Sequence, residues 1–180
     1  KALSIVIVNP ITFTTSSLPD ATTGVAYSQT IGATGGQAPY TWSADGGIPG
    51  IFSINATTGV LTGNFTAPGT YLITVTVRDT TGQQAQKTLS VVIGLPPSPA
   101  VTISGLPATS APAKQTPVTL ALGSAFPVDL TGTLTLTFAS SVGGDDQLIR
   151  FSNGTRTASF TIAAGQTAAT LPAGLSVLTG

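Results

Sequence analysis

The run Tyr71-Leu72-Ile73-Thr74-Val75-Thr76-Val77, closed by Arg78-Asp79, decides how this chain is read. Apolar and polar residues alternate along it from Ile73 to Val77. Side chains on a β-strand point to opposite faces in turn, so this pattern writes a strand with one buried and one wet face. The surrounding stretch, Gly35 to Asp79, repeats the pattern. Tyr40-Thr41-Trp42-Ser43, Ile51-Phe52-Ser53-Ile54 and Val60-Leu61-Thr62-Gly63 are short runs of the same kind, cut by glycine turns. The stretch also holds the only tryptophan and two of the three tyrosines. After the Thr80-Thr81-Gly82 turn, Gln86-Lys87-Thr88-Leu89-Ser90-Val91-Val92-Ile93 brings the chain back. The fold class expected is all-β, as antiparallel sandwich.

Upstream, Ile11-Thr12-Phe13-Thr14 and Tyr27-Ser28-Gln29-Thr30-Ile31 complete seven expected strands between Ile11 and Ile93. No window shows an amphipathic helical period. Leu95-Pro96-Pro97-Ser98-Pro99 follows, and its prolines favour an extended, semi-rigid linker. A second set of period-two runs comes next: Val101–Ile103, Val118–Leu122, Leu134–Phe138, Leu148–Phe151, Ala158–Ile162 and Ala168–Leu171. Beyond these the chain shows no obvious closing strand. Two tandem β-sandwiches are therefore expected, at residues 9–94 and 100–180, with 95–99 as linker.

The opening residues repeat. Lys1-Ala2-Leu3-Ser4-Ile5-Val6-Ile7 aligns with Lys87-Thr88-Leu89-Ser90-Val91-Val92-Ile93 at an offset of 86 residues. A repeat at one-domain spacing is the mark of tandem modules. Residues 1–8 read as the last strand of a preceding repeat, pairing into the first module or with a neighbour.

Composition removes several functions. Charged residues are 7% of the chain and cancel to zero net charge. Nucleic-acid binding needs a basic patch against phosphates, and none exists. Cysteine, histidine and methionine are absent. The usual zinc, haem and iron–sulfur ligand sets and the Ser-His-Asp or Cys-His nucleophiles are therefore excluded. No segment has the apolar length for membrane insertion as a helix. The six acids are all aspartates: Asp20, Asp45, Asp79, Asp129, Asp145 and Asp146.

The ordered motifs of the first module carry a resemblance. Leu18-Pro19-Asp20, Gly24-Val25-Ala26-Tyr27, Pro39-Tyr40-Thr41-Trp42, Thr58-Gly59-Val60-Leu61-Thr62-Gly63 and Gly69-Thr70-Tyr71 resemble the immunoglobulin-like repeats of large bacterial surface proteins, relatives of cadherin-like and dystroglycan-type domains. Ile48-Pro49-Gly50-Ile51 departs from the family's Leu-Pro-x-Gly-Leu by one residue. The second module resembles other bacterial immunoglobulin-like repeats only through Thr131–Leu136 and Arg156–Ile162. The resemblance implies an exported, extracellular or cell-surface location and neighbouring repeats in the same chain.

Trp42 is expected on a central strand as the ring between the sheets, with Tyr40 sharing its face. Tyr71 is expected as a tyrosine corner, its hydroxyl bonding back to nearby backbone. Asp79, with Asp45 and Asp20, is the candidate metal set, and calcium is the only plausible cofactor because it takes oxygen ligands. The competing reading gives Asp79 the ordinary duty of a turn aspartate, accepting bonds from turn amides. Asp145-Asp146 reads as a solvated turn. The function expected is a non-enzymatic spacer or adhesion segment that contacts a protein or glycan. The alternative is an accessory carbohydrate- or protein-binding module of a secreted multidomain enzyme. A cluster of exposed aromatics on one sheet face would favour sugar binding, and its absence a spacer.

Overall fold

A computed structural model describes residues 9–106, 111, 113–138 and 146–179. The expectations for residues 1–8 and for Asp145 lie outside the described residues. The chain divides into two compact units, Lys1–Pro96 and Pro97–Gly180. Every regular element among the described residues is a strand.

The first unit has nine strands among its described residues: β1 (Thr12–Phe13), β2 (Ala21–Thr22), β3 (Ala26–Thr30), β4 (Ala33–Thr34), β5 (Thr41–Asp45), β6 (Gly50–Ile54), β7 (Val60–Phe65), β8 (Gly69–Arg78) and β9 (Gln84–Gly94). One sheet has the order β2-β9-β8-β5, the other β3-β7-β6, and β1 pairs with β4 alone. The period-two reading of β8 is exact in space. Ile73, Val75 and Val77 are fully buried, and on β9 so are Val91 and, nearly, Leu89 and Ile93. Leu61 and Phe65 of β7 meet them from the opposite sheet, in one core with Trp42 and Tyr27. The outer face of β8 and β9 carries Thr, Ser and Gln side chains, with Leu72 and Val92 exposed at one end and Arg78 at the other. Thr74 lies opposite Thr88 with their hydroxyls 3.1 Å apart.

Two strands escape the sequence pattern here. β2 is two residues long and pairs in parallel with the end of β9, Ala21 opposite Ile93 and Thr22 opposite Gly94. Such a pair is set by tertiary contact and leaves no local periodicity. β4 is equally short. Trp42 is buried at 6% exposure, but its strand β5 is the edge of the four-stranded sheet. The ring is covered from the side. Phe13 and Tyr40 pack edge-on to it at 6.1 Å each, and the Gly59 turn closes over its indole.

The second unit contains β10 (Val101–Ser104), β11 (Gln115–Pro117), β12 (Thr119–Leu122), β13 (Leu130–Thr135), β14 (Arg150–Phe151), β15 (Thr157–Ile162) and β16 (Ser176–Leu178). They form the small sheets β10-β12, β11-β16-β14 and β13-β15 around one core that includes Leu120, Leu122, Phe151, Ile162 and Val177. Three expectations change. The strand expected at 134–138 runs Leu130–Thr135, because Leu130 and Thr135 are the ends of its register with β15. Ala168–Leu171 is not a strand and makes only isolated bridges, Ala121 to Ala168 and Thr161 to Thr170. A closing strand does exist. β16 sits in the middle of its sheet, Thr116 opposite Val177 on one side and Phe151 opposite Val177 on the other. At three residues it is too short to show alternation.

Candidate functional site

The candidate aspartates do not converge. Asp79 follows the last residue of β8, whereas Asp45 ends β5 opposite Thr74, five residues back along that ladder. At about 3.3 Å per residue they are roughly 17 Å apart. Asp20 precedes β2, beside the far end of β9. No three acidic side chains among the described residues could hold a metal ion. Asp45 and Asp20 are exposed, and Asp45 Oδ1 accepts only the Gly46 amide, at 2.9 Å. Asp20 instead adds to burial in raising the pKa of Tyr27, whose hydroxyl donates to the Pro19 carbonyl at 3.2 Å.

Asp79 is buried and fully engaged. Its Oδ2 accepts the Gln37 amide at 2.9 Å. Its Oδ1 accepts the Thr81 amide at 2.9 Å, the Thr81 hydroxyl at 2.7 Å and the Gln83 amide at 2.9 Å. Burial pushes the carboxyl's pKa up, but the donors from Thr81, Gln37 and Gln83 outweigh it and hold the value below the ordinary 3.8. Hydrogen bonds to the charged form act in that direction.

Around this carboxylate three segments meet. The Gly36 amide donates to the Asn9 carbonyl at 2.8 Å, and the Ile11 amide donates to Gln83 Oε1 at 3.2 Å. Thr80 donates through its amide and its hydroxyl to the Gln37 carbonyl, at 3.2 and 3.0 Å. Glycine is required at the crossing. Gly36 has φ +59°, and a Cβ there would stand 2.7 Å from Ile11 Cγ1 and 2.8 Å from Asp79 Oδ2. The incoming chain at residues 9–11, the 35–37 loop and the 79–83 turn thus form one polar end of the unit, which we call the Asp79 pole. Sequence reasoning found the aspartate and the turn but not this convergence, because the partners lie 42 and 72 residues apart in the chain.

The aromatic candidates are structural. The Tyr71 hydroxyl donates to the Pro68 carbonyl at 3.2 Å, and that of Tyr40 to the Gly35 carbonyl. Of the chain's aromatic side chains only Phe138 is exposed, at 39%. A shallow groove on the outer face of β3-β7-β6, between Ser28, Ile51, Ser53, Thr62 and Asn64, carries no acidic or basic group. In the second unit, Asp129 and Asp146 accept the amides of Ala164 and Leu148 at 2.7 and 2.9 Å. Neither unit therefore presents a paired carboxylate or an activated nucleophile among its described residues.

No curated protein matches the sequence. Among solved structures, a putative alpha-galactosidase from Bacteroides fragilis is 22% identical, with 52% of this chain and 19% of that one covered at a TM-score of 0.43. Drosophila N-cadherin EC1-4 is 10% identical over 90% of this chain and 48% of that one, at a TM-score of 0.45. A protocadherin gammaB7 EC3-6 structure is 11% identical over 96% and 51%, also at 0.45. The chain thus spans between 19% and 51% of the length of these proteins. The family match is local to the first unit. Residues 9–94 match the family described as Putative Ig domain, and the unit they form is an immunoglobulin-like β-sandwich.

Proposed function

We propose that this chain is a non-catalytic segment of a longer exported bacterial protein, where its β-units act as a spacer or adhesion segment at the cell surface. One observation carries the reading: the chain comes into the first unit at one end and leaves at the other. Asn9 and Ile11 are bonded at the Asp79 pole, beside Gln83. Gly94 ends β9, which starts at Gln84, so it lies about 33 Å from that pole. A unit threaded in this way adds its own length to any chain it is placed in. The buried and half-buried aromatic rings and the scattered aspartates support a spacer over a glycan-binding accessory module, since flat sugar sites use exposed rings.

The test is replacement in the parent protein. Residues 9–179 are exchanged for unrelated β-sandwiches of equal length, and surface attachment or reach is measured. Restored function supports a spacer. Function lost with the substitute, together with binding of the isolated chain to a glycan or protein array, points to adhesion through exposed loops. Turnover of a substrate by the chain itself would overturn the non-catalytic reading.

A further inference from the structure

We propose that the Asp79 pole is the seat of a preceding repeat of the same kind, held end to end by a link too short to swing freely. The inference rests on the serial reading above and names the partner of that pole.

Two observations combine. Residues 1–7 align with residues 87–93, differing only at Ala2/Thr88 and Ile5/Val91, and the structure shows what positions 87–93 do. Leu89, Val91 and Ile93 are the buried residues of β9, matched by Leu3, Ile5 and Ile7. Ser90 and Val92 are exposed, matched by Ser4 and Val6. The repeated segment therefore keeps the inward set that closes a sandwich, not merely its apolar content. Past the unlike pairs Val8/Gly94 and Asn9/Leu95, the same offset brings Pro10 onto Pro96. Residues 1–8 thus have the sequence of the closing strand of another unit.

The second observation is where that strand must end. Ile7 is the last position that repeats a buried one, and Asn9 is already fixed by its carbonyl to the Gly36 amide at 2.8 Å. Two residues span at most about 7 Å. The far end of the preceding repeat must then lie against this pole. The surface it meets is uncharged apart from Arg78, with Gln37, Thr80, Thr81 and Gly82 exposed, because the Asp79 carboxylate is turned inward onto four donors. At the corresponding end of the first unit, Val25 is 53% exposed and Thr23 is bonded to the Gly94 carbonyl. A polar seat with no outward-facing carboxylate suits such an end without an ion between them.

The test extends the 180-residue chain at its N-terminus with a second copy of residues 9–86, so that residues 1–8 complete the added copy. The chain has no cysteine, so Thr70→Cys in both copies gives a clean pair of spin-label sites. We expect one narrow distance distribution centred near 40 Å, the length of β9 plus the link. Inserting Gly-Ser-Gly between Val8 and Asn9 should broaden it without moving either melting transition. Ile5→Asp should abolish the melting transition of the added copy and leave the original unit's in place. A broad distribution before insertion, or no broadening after it, overturns the stiff joint and leaves the spacer reading standing. An added copy that does not fold, or that ignores Ile5→Asp, overturns the assignment of residues 1–8 and with it the repeat.

Discussion

Phe65 and Gly63 lie two residues apart on β7, both facing the core, and the ring folds back over the glycine. A Cβ placed on Gly63 would stand 2.6 Å from Phe65 Cζ and 2.9 Å from Cε1. Carbon atoms prefer about 3.5–4.0 Å, so Gly63→Ala demands a shift of about one ångström. The ring cannot give easily. It is fully buried and packs on Tyr27 at 5.6 Å. Overpacking of this kind costs about 1–3 kcal/mol, against roughly 0.5–1 kcal/mol recovered by replacing glycine within a strand. A net loss of about 1–2 kcal/mol is expected, or a Tm lower by roughly 4–15 °C for a unit of this size. Phe65→Leu alone should also destabilise, by less than the roughly 3–5 kcal/mol of a phenylalanine truncated to alanine. Combined, the two should be markedly less than additive, because leucine lacks the atom that meets the new methyl. Urea unfolding followed by tryptophan fluorescence is the assay, since Trp42 is the only tryptophan and reports on the first unit alone. Additivity within about 0.5 kcal/mol would refute the reasoning.

The remaining predictions concern other parts of the chain. The first unit should lose stability as pH falls below about 3.9. A carboxyl with a lowered folded pKa contributes fully above its unfolded value and ceases to contribute as pH drops through the folded one. Asp79→Asn should flatten that acid limb, and an unchanged pH profile of melting would contradict the role given to Asp79. Calcium in excess, or a chelator, should leave the Tm of the whole chain where it is, because both Asp79 oxygens already serve protein donors; an upward shift with calcium would sink that account. Gly59→Ala should cost about 2–5 kcal/mol, since Gly59 has φ +68° and its Cβ would press within 2.9 Å of the Ile31 carbonyl and the Trp42 ring. Trp42 fluorescence should shift with it. In the second unit, Ser176→Ala should be neutral or stabilising by up to about 1 kcal/mol, because the buried Ser176 hydroxyl has no hydrogen-bond partner among the described residues. A clear loss of stability would show that the hydroxyl is satisfied after all.

The long strands were legible because burial on one face imposes period two on the residues themselves. β8, β9, β6 and β7 fall within a few residues of where alternation places them. The short elements were not. β2 and β16 carry two and three residues, and each exists because of a partner far along the chain. The same limit hid the edge position of Trp42, since a side chain covered by loops and one covered by strands read alike. Of the candidate site, Asp79 showed itself as a turn aspartate through Asp79-Thr80-Thr81-Gly82. That its carboxylate also reaches Gln37, and gathers residues 9–11 to the same place, is a fact of folding without local signature. Gly132 and Phe160 make the point again. They stand opposite each other on β13 and β15, with the ring 2.6 Å from where a Cβ on the glycine would be, and neither residue announces the other in the sequence.

The threading of the first unit has a mechanical consequence. Tension between Asn9 and Gly94 acts along β9, not across it. The strand is held by β8 over ten paired residues, from Gly69 opposite Ile93 to Arg78 opposite Gln84, and by the parallel partner β2 at its far end. A pull along that axis strains these bonds together in shear, so they share the load where a peeling strand would break them one at a time.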